Sequence, residues 1–186
     1  MAGASPRLRR LTRLPRIYAR AAFEGLFRHR LGGRPPLVVH QGVVLDAGQV
    51  LLALRSDVRG WELPGGNANP GESGEAALRR ELREETGLEV EVERRVGDYE
   101  RRGFWPHTAC VYRCRRVGGA LRGSRETPAV RWFSLDGLPA GLLPWYRQPL
   151  ADALAEHAEP VLRRERWGLR EIAAAMAIDL RSRWGG

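Results

Sequence analysis

The sequence predicts an α/β (α+β) fold in which a mixed β-sheet packs between helical layers. Three observations predict it: apolar, β-branched segments typical of strands begin at residue 37, one acidic helix interrupts them, and helical periodicity returns near the C-terminus. With 186 residues, 43% of them hydrophobic, the chain is long enough to bury a core, so wholesale disorder is not expected.

Residues 1–36 form a basic arm. They hold nine arginines and one acid, or 9 − 1 = +8, whereas the rest of the chain holds 22 basic and 21 acidic residues, or +1. Leucines at helical spacing predict an amphipathic helix, broken at Pro15. Three interpretations stay open: packing on the body, contact with an anionic membrane or nucleic acid, and a mitochondrial transit peptide. Unless the arm is such a transit peptide, we expect a cytoplasmic protein.

The body is predicted to run from residue 37 to residue 157, and a C-terminal amphipathic helix is predicted over residues 158–186. No apolar run reaches the roughly 20 residues of a membrane span. Cys110 and Cys114 are expected to be reduced thiols. The predicted elements are strands 37–45 and 49–55, a helix over 73–86, a strand over 88–102 with a turn at Gly97 and Asp98, a strand over 106–117, a strand over 129–133, and helical segments on both sides of Pro160.

The acidic helix has clear ends and an unusual face. Ser73 suits its N-cap, and Gly87 suits its C-terminal end. Because residues three and four apart share one helical face, Glu81, Glu84 and Glu85 lie together. Repulsion among three neighbouring carboxylates destabilises a helix unless a cation offsets it. Carboxylates are also ligands of hard divalent ions. A solvated face with i, i+4 ion pairs is the alternative.

The spacing around this helix resembles the box motif of the Nudix hydrolase family at every defined position. The matching residues are Gly66, Glu72, Arg80, Glu81, Leu82, Glu84, Glu85, Gly87 and Leu88. The preceding WELPGG (61–66) also resembles the usual lead-in of the family. The resemblance covers residues 37–157 and implies a Nudix-type α/β/α sandwich with a mixed β-sheet. It also implies hydrolysis of a diphosphate that links a nucleoside to another group, X.

The resemblance also implies roles for particular residues. Mg²⁺, with Mn²⁺ as an alternative, would be held by the three box glutamates Glu81, Glu84 and Glu85 and by the backbone carbonyl of Gly65. Arg80 would orient the glutamates, and Glu72 would brace the loop and helix behind them. The carboxylate that accepts the proton of the attacking water stays open among Glu81, Glu84 and Glu126. Many relatives carry Glu where this chain has Asn69.

Substrate-binding residues are sought outside the box. Arg55 at a strand end could bind phosphate, Trp61 and Trp105 could stack on a base, and Trp145 is a further candidate pocket residue. His107 is a further candidate. For each of these residues a structural role, such as core packing or a surface position, is the alternative.

The predicted activity is therefore Mg²⁺-dependent hydrolysis of a small-molecule nucleotide, with ADP-ribose or a nucleotide sugar favoured. Hydrolysis of nucleoside triphosphates or capped RNA is one alternative. A Nudix module that senses nucleotides, or that docks on RNA or a membrane, is another. The intact set of acids disfavours the module, because a pure sensor need not keep them.

Overall fold

A computed structural model describes residues 37–103 and 105–184, and the predictions made for the arm, residues 1–36, lie outside the described residues. Within these residues the chain forms eight strands, three α-helices and a 3-10 turn, Pro144–Tyr146. The strands are β1 Leu37–Asp46, β2 Gln49–Leu54, β3 Trp61–Glu62, β4 Gly65–Asn67, β5 Leu88–Gly103, β6 His107–Gly119, β7 Ala129–Ser134 and β8 Val161–Trp167. The helices are α1 Gly74–Thr86, α2 Arg147–Leu154 and α3 Leu169–Trp184.

All eight strands belong to one mixed sheet, with the order β3-β2-β1-β6-β5-β8, β4 paired with β1 and β7 paired with β2. The β1–β6 and β5–β8 pairs are parallel, and the other pairs are antiparallel. Since adjacent strand residues face opposite sides, Val43 and Val44 belong to two separate core clusters. One cluster holds Leu78 and Leu82 of α1, and the other packs against α2 and α3. The sheet therefore lies between helical layers, as predicted.

Helix α1 begins and ends where its sequence predicts. The Ser73 side chain accepts a hydrogen bond from the Ala76 N–H at 3.3 Å. Gly87 ends the helix in the left-handed conformation, with φ 73°, and its N–H donates to the Arg83 carbonyl at 3.0 Å. The acidic face is thus held between two well-formed caps.

Two predictions about the later elements were wrong. No turn occurs at Gly97 and Asp98, because β5 continues through them with bulges. A Cβ at Gly97 would lie 2.3 Å from the Val161 carbonyl oxygen, so this glycine permits the close approach of β8. Residues 161–167 are not helical but form β8, an added edge strand whose alternate side chains point inward. Of the described residues 158–184, only 169–184 are helical, and residues 161–167 extend the same sheet.

Both cysteines, Cys110 and Cys114, are free and buried. No helix among residues 37–103 and 105–184 has the length and apolar character needed to cross a membrane.

Candidate active site

Two glycines let the loop before α1 pass between β1 and the acidic face. Gly65 pairs with Gln41 of β1 and has φ 146°, and a Cβ there would lie 2.0 Å from the His40 carbonyl oxygen. A Cβ at Gly66 would lie 2.4 Å from the carboxyl carbon of Glu81. The backbone of this loop is therefore in direct contact with one of the predicted metal ligands.

Arg80 joins the loop to the helix. Its Nε donates to Glu72 Oε1 at 3.0 Å, and its Nη2 donates to Glu72 Oε2 at 2.9 Å and to the Asn67 carbonyl at 3.0 Å. The Asn69 N–H also donates to Glu72, at 2.9 Å. The bonds from Arg80, and then the one from Asn69, hold the pKa of Glu72 down at about 2. Glu72 thus joins the loop to α1 through Asn69 and Arg80.

The three glutamates of the acidic face have different partners. Glu81 accepts from Arg80 Nη1 at 2.8 Å, and the same nitrogen lies 3.4 Å from Glu84 Oε2. The Glu84 side chain is 58% exposed. Glu85 accepts the Gly65 N–H at 2.9 Å. Arg80 therefore holds two of the acids, and the loop backbone holds the third.

Burial and the charges of other carboxylates both act on Glu85. Burial raises its pKa to about 8, and the charges of Glu62, Glu81 and Glu126 add to the rise. This places Glu126, predicted from its position outside the box, near the acidic face. Glu62, which the sequence analysis did not select, also raises the pKa of Glu85.

No group of three His, Cys, Asp or Glu side chains converges to hold a metal ion anywhere in the part of the chain that the structure describes. Glu81 and Glu84 both contact Arg80, while Glu85 bonds to the Gly65 N–H. The donor types suit a hard divalent ion, and their mutual repulsion favours one.

The loop that carries Glu126 is attached to both neighbouring parts of the site. The Glu126 carbonyl accepts from the Ser56 N–H at 2.9 Å, and the Thr127 hydroxyl donates to the Glu85 carbonyl at 2.8 Å. The side chain of Glu126 is exposed. Glu126 is therefore an exposed acid on a loop fastened to α1 at Glu85.

A buried polar network lies beside these acids. Glu62 is 7% exposed, and its Oε2 accepts from Arg55 Nη1 at 3.1 Å and from the Tyr146 hydroxyl at 3.0 Å. Gln41 Nε2 donates to that hydroxyl at 3.1 Å, while the buried Gln41 Oε1 has no hydrogen-bond partner among residues 37–103 and 105–184. Sequence reasoning missed Gln41, Glu62 and Tyr146. A glutamine and a glutamate inside otherwise apolar strands are the signal that could have found the first two.

Arg55 is the sequence-predicted substrate residue that the structure brings to the acids. It bonds to Glu62 and, through Nε at 2.8 Å and Nη2 at 2.7 Å, to the carboxylate of Asp57. These two acids, Glu62 first, raise the pKa of the guanidinium. Trp61 is next to Glu62 in sequence and is half-buried, with its ring edge-on to Phe133 at 4.7 Å.

The other aromatic candidates form a separate cluster. His107 pairs with Leu37 at the start of β1, four residues before Gln41, which pairs with Gly65. Its Nδ1 must donate to the Trp105 carbonyl, at 2.8 Å, since a carbonyl only accepts, and its Nε2 lies 3.2 Å from Arg101 Nη1. Burial lowers the pKa of His107 to about 4. Trp145 stacks on Trp167 with ring centroids 4.5 Å apart.

Comparisons with known proteins agree with this geometry. A model of the NUDIX domain matches residues 36–154. A MutT-like protein of Streptomyces ambofaciens is 40% identical over 125 residues, which cover 64% of this chain and 79% of that protein. A Bacillus subtilis protein named putative 8-oxo-dGTP diphosphatase is 34% identical over 110 residues, 59% of this chain and 74% of its own length. The crystal structure of an ADP-ribose pyrophosphatase from Streptococcus suis has 27% identity and a TM-score of 0.59, and the match covers 70% of this chain and all of that chain.

Proposed function

The chain belongs to the Nudix hydrolase family and is a Nudix pyrophosphohydrolase, and we propose that it cleaves the diphosphate bond of a nucleoside diphosphate linked to another group, X. Nudix hydrolases act on small-molecule nucleotides and generally use divalent metals such as Mg²⁺.

The observation that carries the proposal is the group of carboxylates around Glu85. Glu62, Glu81 and Glu126 all disfavour its ionisation. Their negative charges act on Glu85 at a cost to stability, because like charges in a partly buried site repel one another. A bound divalent cation removes that cost.

In this proposal Glu81, Glu84, Glu85 and the carbonyl of Gly65 hold Mg²⁺. The chemistry that the ion supplies in such a site is neutralisation of diphosphate charge and activation of the attacking water. Glu81 and Glu84 already lie within 2.8 Å and 3.4 Å of the same Arg80 nitrogen, so Arg80 keeps both acids on one side of α1. Glu72 fixes Arg80 from behind through two parallel bonds.

Glu81, Glu84 and Glu126 remain the candidates for the proton acceptor. Glu84 and Glu126 are exposed and can reach a water on the open side of the site, whereas Glu81 lies against Gly66. The general base must come within hydrogen-bond reach of the water that attacks phosphorus. Comparison of the variants Glu84→Gln and Glu126→Gln separates these roles, since the base variant lowers kcat and flattens one limb of the pH–rate profile.

Arg55 is proposed to bind a substrate phosphate. Within the described residues, its three bonds to Asp57 and Glu62 use three of the five N–H donors of a guanidinium. Two donors therefore remain for a ligand. A planar guanidinium suits phosphate oxygens.

We propose that the substrate is ADP-ribose or a nucleotide sugar, so that X is a sugar or sugar phosphate. The full coverage of the Streptococcus suis ADP-ribose pyrophosphatase supports this choice. A nucleoside triphosphate is the second candidate, and the relative named putative 8-oxo-dGTP diphosphatase favours it. A docking role for residues 1–36 lies outside the described residues and stays a proposal.

The decisive experiment is a substrate panel with product identification. Wild-type protein, Glu84→Gln and the control Glu75→Gln are assayed with ADP-ribose, a nucleotide sugar, 8-oxo-dGTP and capped RNA, with Mg²⁺ and with EDTA. Glu75 lies on the same helix in an exposed pair with Arg79. We expect Mg²⁺-dependent release of a nucleoside monophosphate, lost by about 10²-fold or more in Glu84→Gln and kept in Glu75→Gln. Turnover in EDTA, or a fully active Glu84→Gln, would overturn the proposal.

A further inference from the structure

The chain after the matched NUDIX region is built into the same domain. The family model ends at residue 154, while β8 pairs in parallel with β5 from Gly97↔Val161 to Gly103↔Trp167. Ala175 and Ile178 of α3 then pack against the core cluster on the α2 side of the sheet. Residues 161–184 are therefore part of the body that carries the active site.

Strong contacts fasten the first half of this segment. Arg163 of β8 bonds to both carboxylate oxygens of Asp152 in α2, at 2.6 Å and 2.5 Å. Glu165 accepts from Arg101, a nearly buried arginine of β5, at 3.1 Å. These contacts hold β8, and none of them involves the acids of α1.

The last turns of α3 bind the loop formed by residues 55–60, here called the Arg55 loop. Asp179 is only 1% exposed, and its Oδ1 accepts the Arg59 N–H at 2.9 Å and Arg183 Nε at 2.7 Å. Arg183 Nη2 donates to the Asp57 carbonyl at 2.8 Å. Two main-chain groups of the loop are thus held by one ion pair on α3.

Asp57 joins this ion pair to the active site. Its carbonyl accepts from Arg183, and its carboxylate accepts two parallel bonds from Arg55. Arg55 in turn bonds to Glu62, whose charge acts on Glu85. The contacts run without a gap from α3 to the carboxylates.

We infer that Asp179 and Arg183 are positioning residues for catalysis, which orient Arg55 towards the substrate phosphate by holding the Asp57 backbone. The inference rests on the proposed function of Arg55. An arginine side chain loses considerable rotamer freedom when it is fixed, so a rigid loop that fixes it in advance lowers the cost of binding a phosphate.

The test is a double-mutant cycle. We measure kcat and KM for wild type, Arg55→Gln, Arg183→Gln and the double variant, on the substrate that the panel identifies. Arg183→Gln should lower kcat/KM by about tenfold in wild type and by less than about twofold in the Arg55→Gln background. Equal losses in both backgrounds would mean that Arg183 acts only on stability, and would overturn the inference.

Asp179 gives a second test by conservative rescue. Asp179→Asn keeps an oxygen acceptor for the Arg59 N–H and should stay within about threefold of wild type, while Asp179→Ala should match Arg183→Gln. Arg163→Gln is the control, because it removes an ion pair of the same kind from the same segment, away from the Arg55 loop. Equal activity of Asp179→Ala and Arg163→Gln would contradict the inference.

Hydrogen exchange separates this inference from the proposed function. The amides of Arg59 and its loop neighbours should exchange faster in Asp179→Ala and Arg183→Gln, and at the wild-type rate in Arg163→Gln. If Arg55→Gln keeps full activity, the proposed role of Arg55 fails. The contacts from α3 to the Arg55 loop then have no catalytic effect, whatever the hydrogen-exchange rates are. If Arg55→Gln loses activity while loop exchange is unchanged in Arg183→Gln, the positioning inference alone fails.

Discussion

Arg80 on α1 holds Glu72, in the loop before the helix, through two parallel hydrogen bonds of 3.0 Å and 2.9 Å. The same guanidinium contacts Glu81 at 2.8 Å. One residue therefore sets both the path of the loop and the position of a predicted metal ligand. Loss of Glu72 should therefore weaken binding at the proposed metal site, although Glu72 itself is not proposed to bind the metal.

The first prediction concerns Glu72→Gln. Gln keeps the size of the side chain and loses the charge that holds Arg80, so we expect kcat/KM to fall by about 10–100-fold and the Mg²⁺ requirement to rise. Steady-state kinetics over a Mg²⁺ titration measure both effects. Glu75→Gln, which breaks an exposed ion pair on the same helix, is the control. If the two variants behave alike, Glu72 has no bracing role.

The second prediction concerns Gly66. A Cβ at this position would lie 2.4 Å from the carboxyl carbon of Glu81, so Gly66→Ala must displace either the loop or the acid. A shift of about 1 Å in a catalytic site can cost about 10²-fold in rate, and we expect a loss of that size in kcat. Gly137→Ala is the matched control, because the closest atom to its Cβ, in Ser134, lies at 3.9 Å. Wild-type kcat in Gly66→Ala would show that Glu81 can move freely.

The third prediction contrasts Glu85→Gln with Glu84→Gln in EDTA. Glu85 is partly buried among other acids, so its replacement should raise the unfolding free energy of the metal-free protein by on the order of 2 kcal/mol. Glu84 is 58% exposed, and its replacement should change that free energy by less than about 0.5 kcal/mol. Urea unfolding measures both values.

Added Mg²⁺ completes this comparison. A ligand that binds the folded state raises its stability by mass action, so Mg²⁺ should stabilise the wild type and have little effect on either variant. Destabilisation of metal-free protein by Glu85→Gln would contradict the repulsion among these carboxylates.

The fourth prediction is a pH dependence of stability that comes from His107. The pKa of His107 is about 4 in the folded protein and about 6.5 when unfolded, so the unfolded state binds more protons between these values. Stability from this group is complete above pH 6.5 and falls as the pH decreases towards 4. Between pH 7 and pH 5 the loss should be about 2 kcal/mol.

His107→Gln should lack this component. Urea unfolding of both proteins at pH 7 and pH 5 measures it, since the contributions of the other acids and histidines largely cancel in the difference. The same loss of stability in His107→Gln and wild type would show that His107 is not held neutral by the fold.

Features that depend on neighbours in the sequence were predictable. The caps Ser73 and Gly87, the acidic face of α1 and the strands β1 and β2 all lie where their local patterns predict. Local patterns succeed there because a helix cap or a helical face involves residues only three or four positions apart. The spacing of the box residues likewise predicted the family without any tertiary information.

Features that depend on distant partners were not predictable in the same way. Residues 161–167 contain several good helix formers, yet they form β8 because the edge of β5 accepts them and Gly97 lets the strand approach. The positions of the candidate substrate residues also depend on distant partners. Arg55 lies beside Glu62, while His107 and Trp145 contact Arg101.

The sequence by itself determined the reaction class, the helix that carries the acids and the residue types at the proposed metal site, because these follow from short-range spacing. Only the tertiary structure decided that Glu62 and Glu126 join Glu85 and that α3 holds the Arg55 loop through Asp179. The Asp179–Arg59 contact joins residues 120 positions apart, and side-chain burial and electrostatic repulsion across such separations exist only once the sheet has formed.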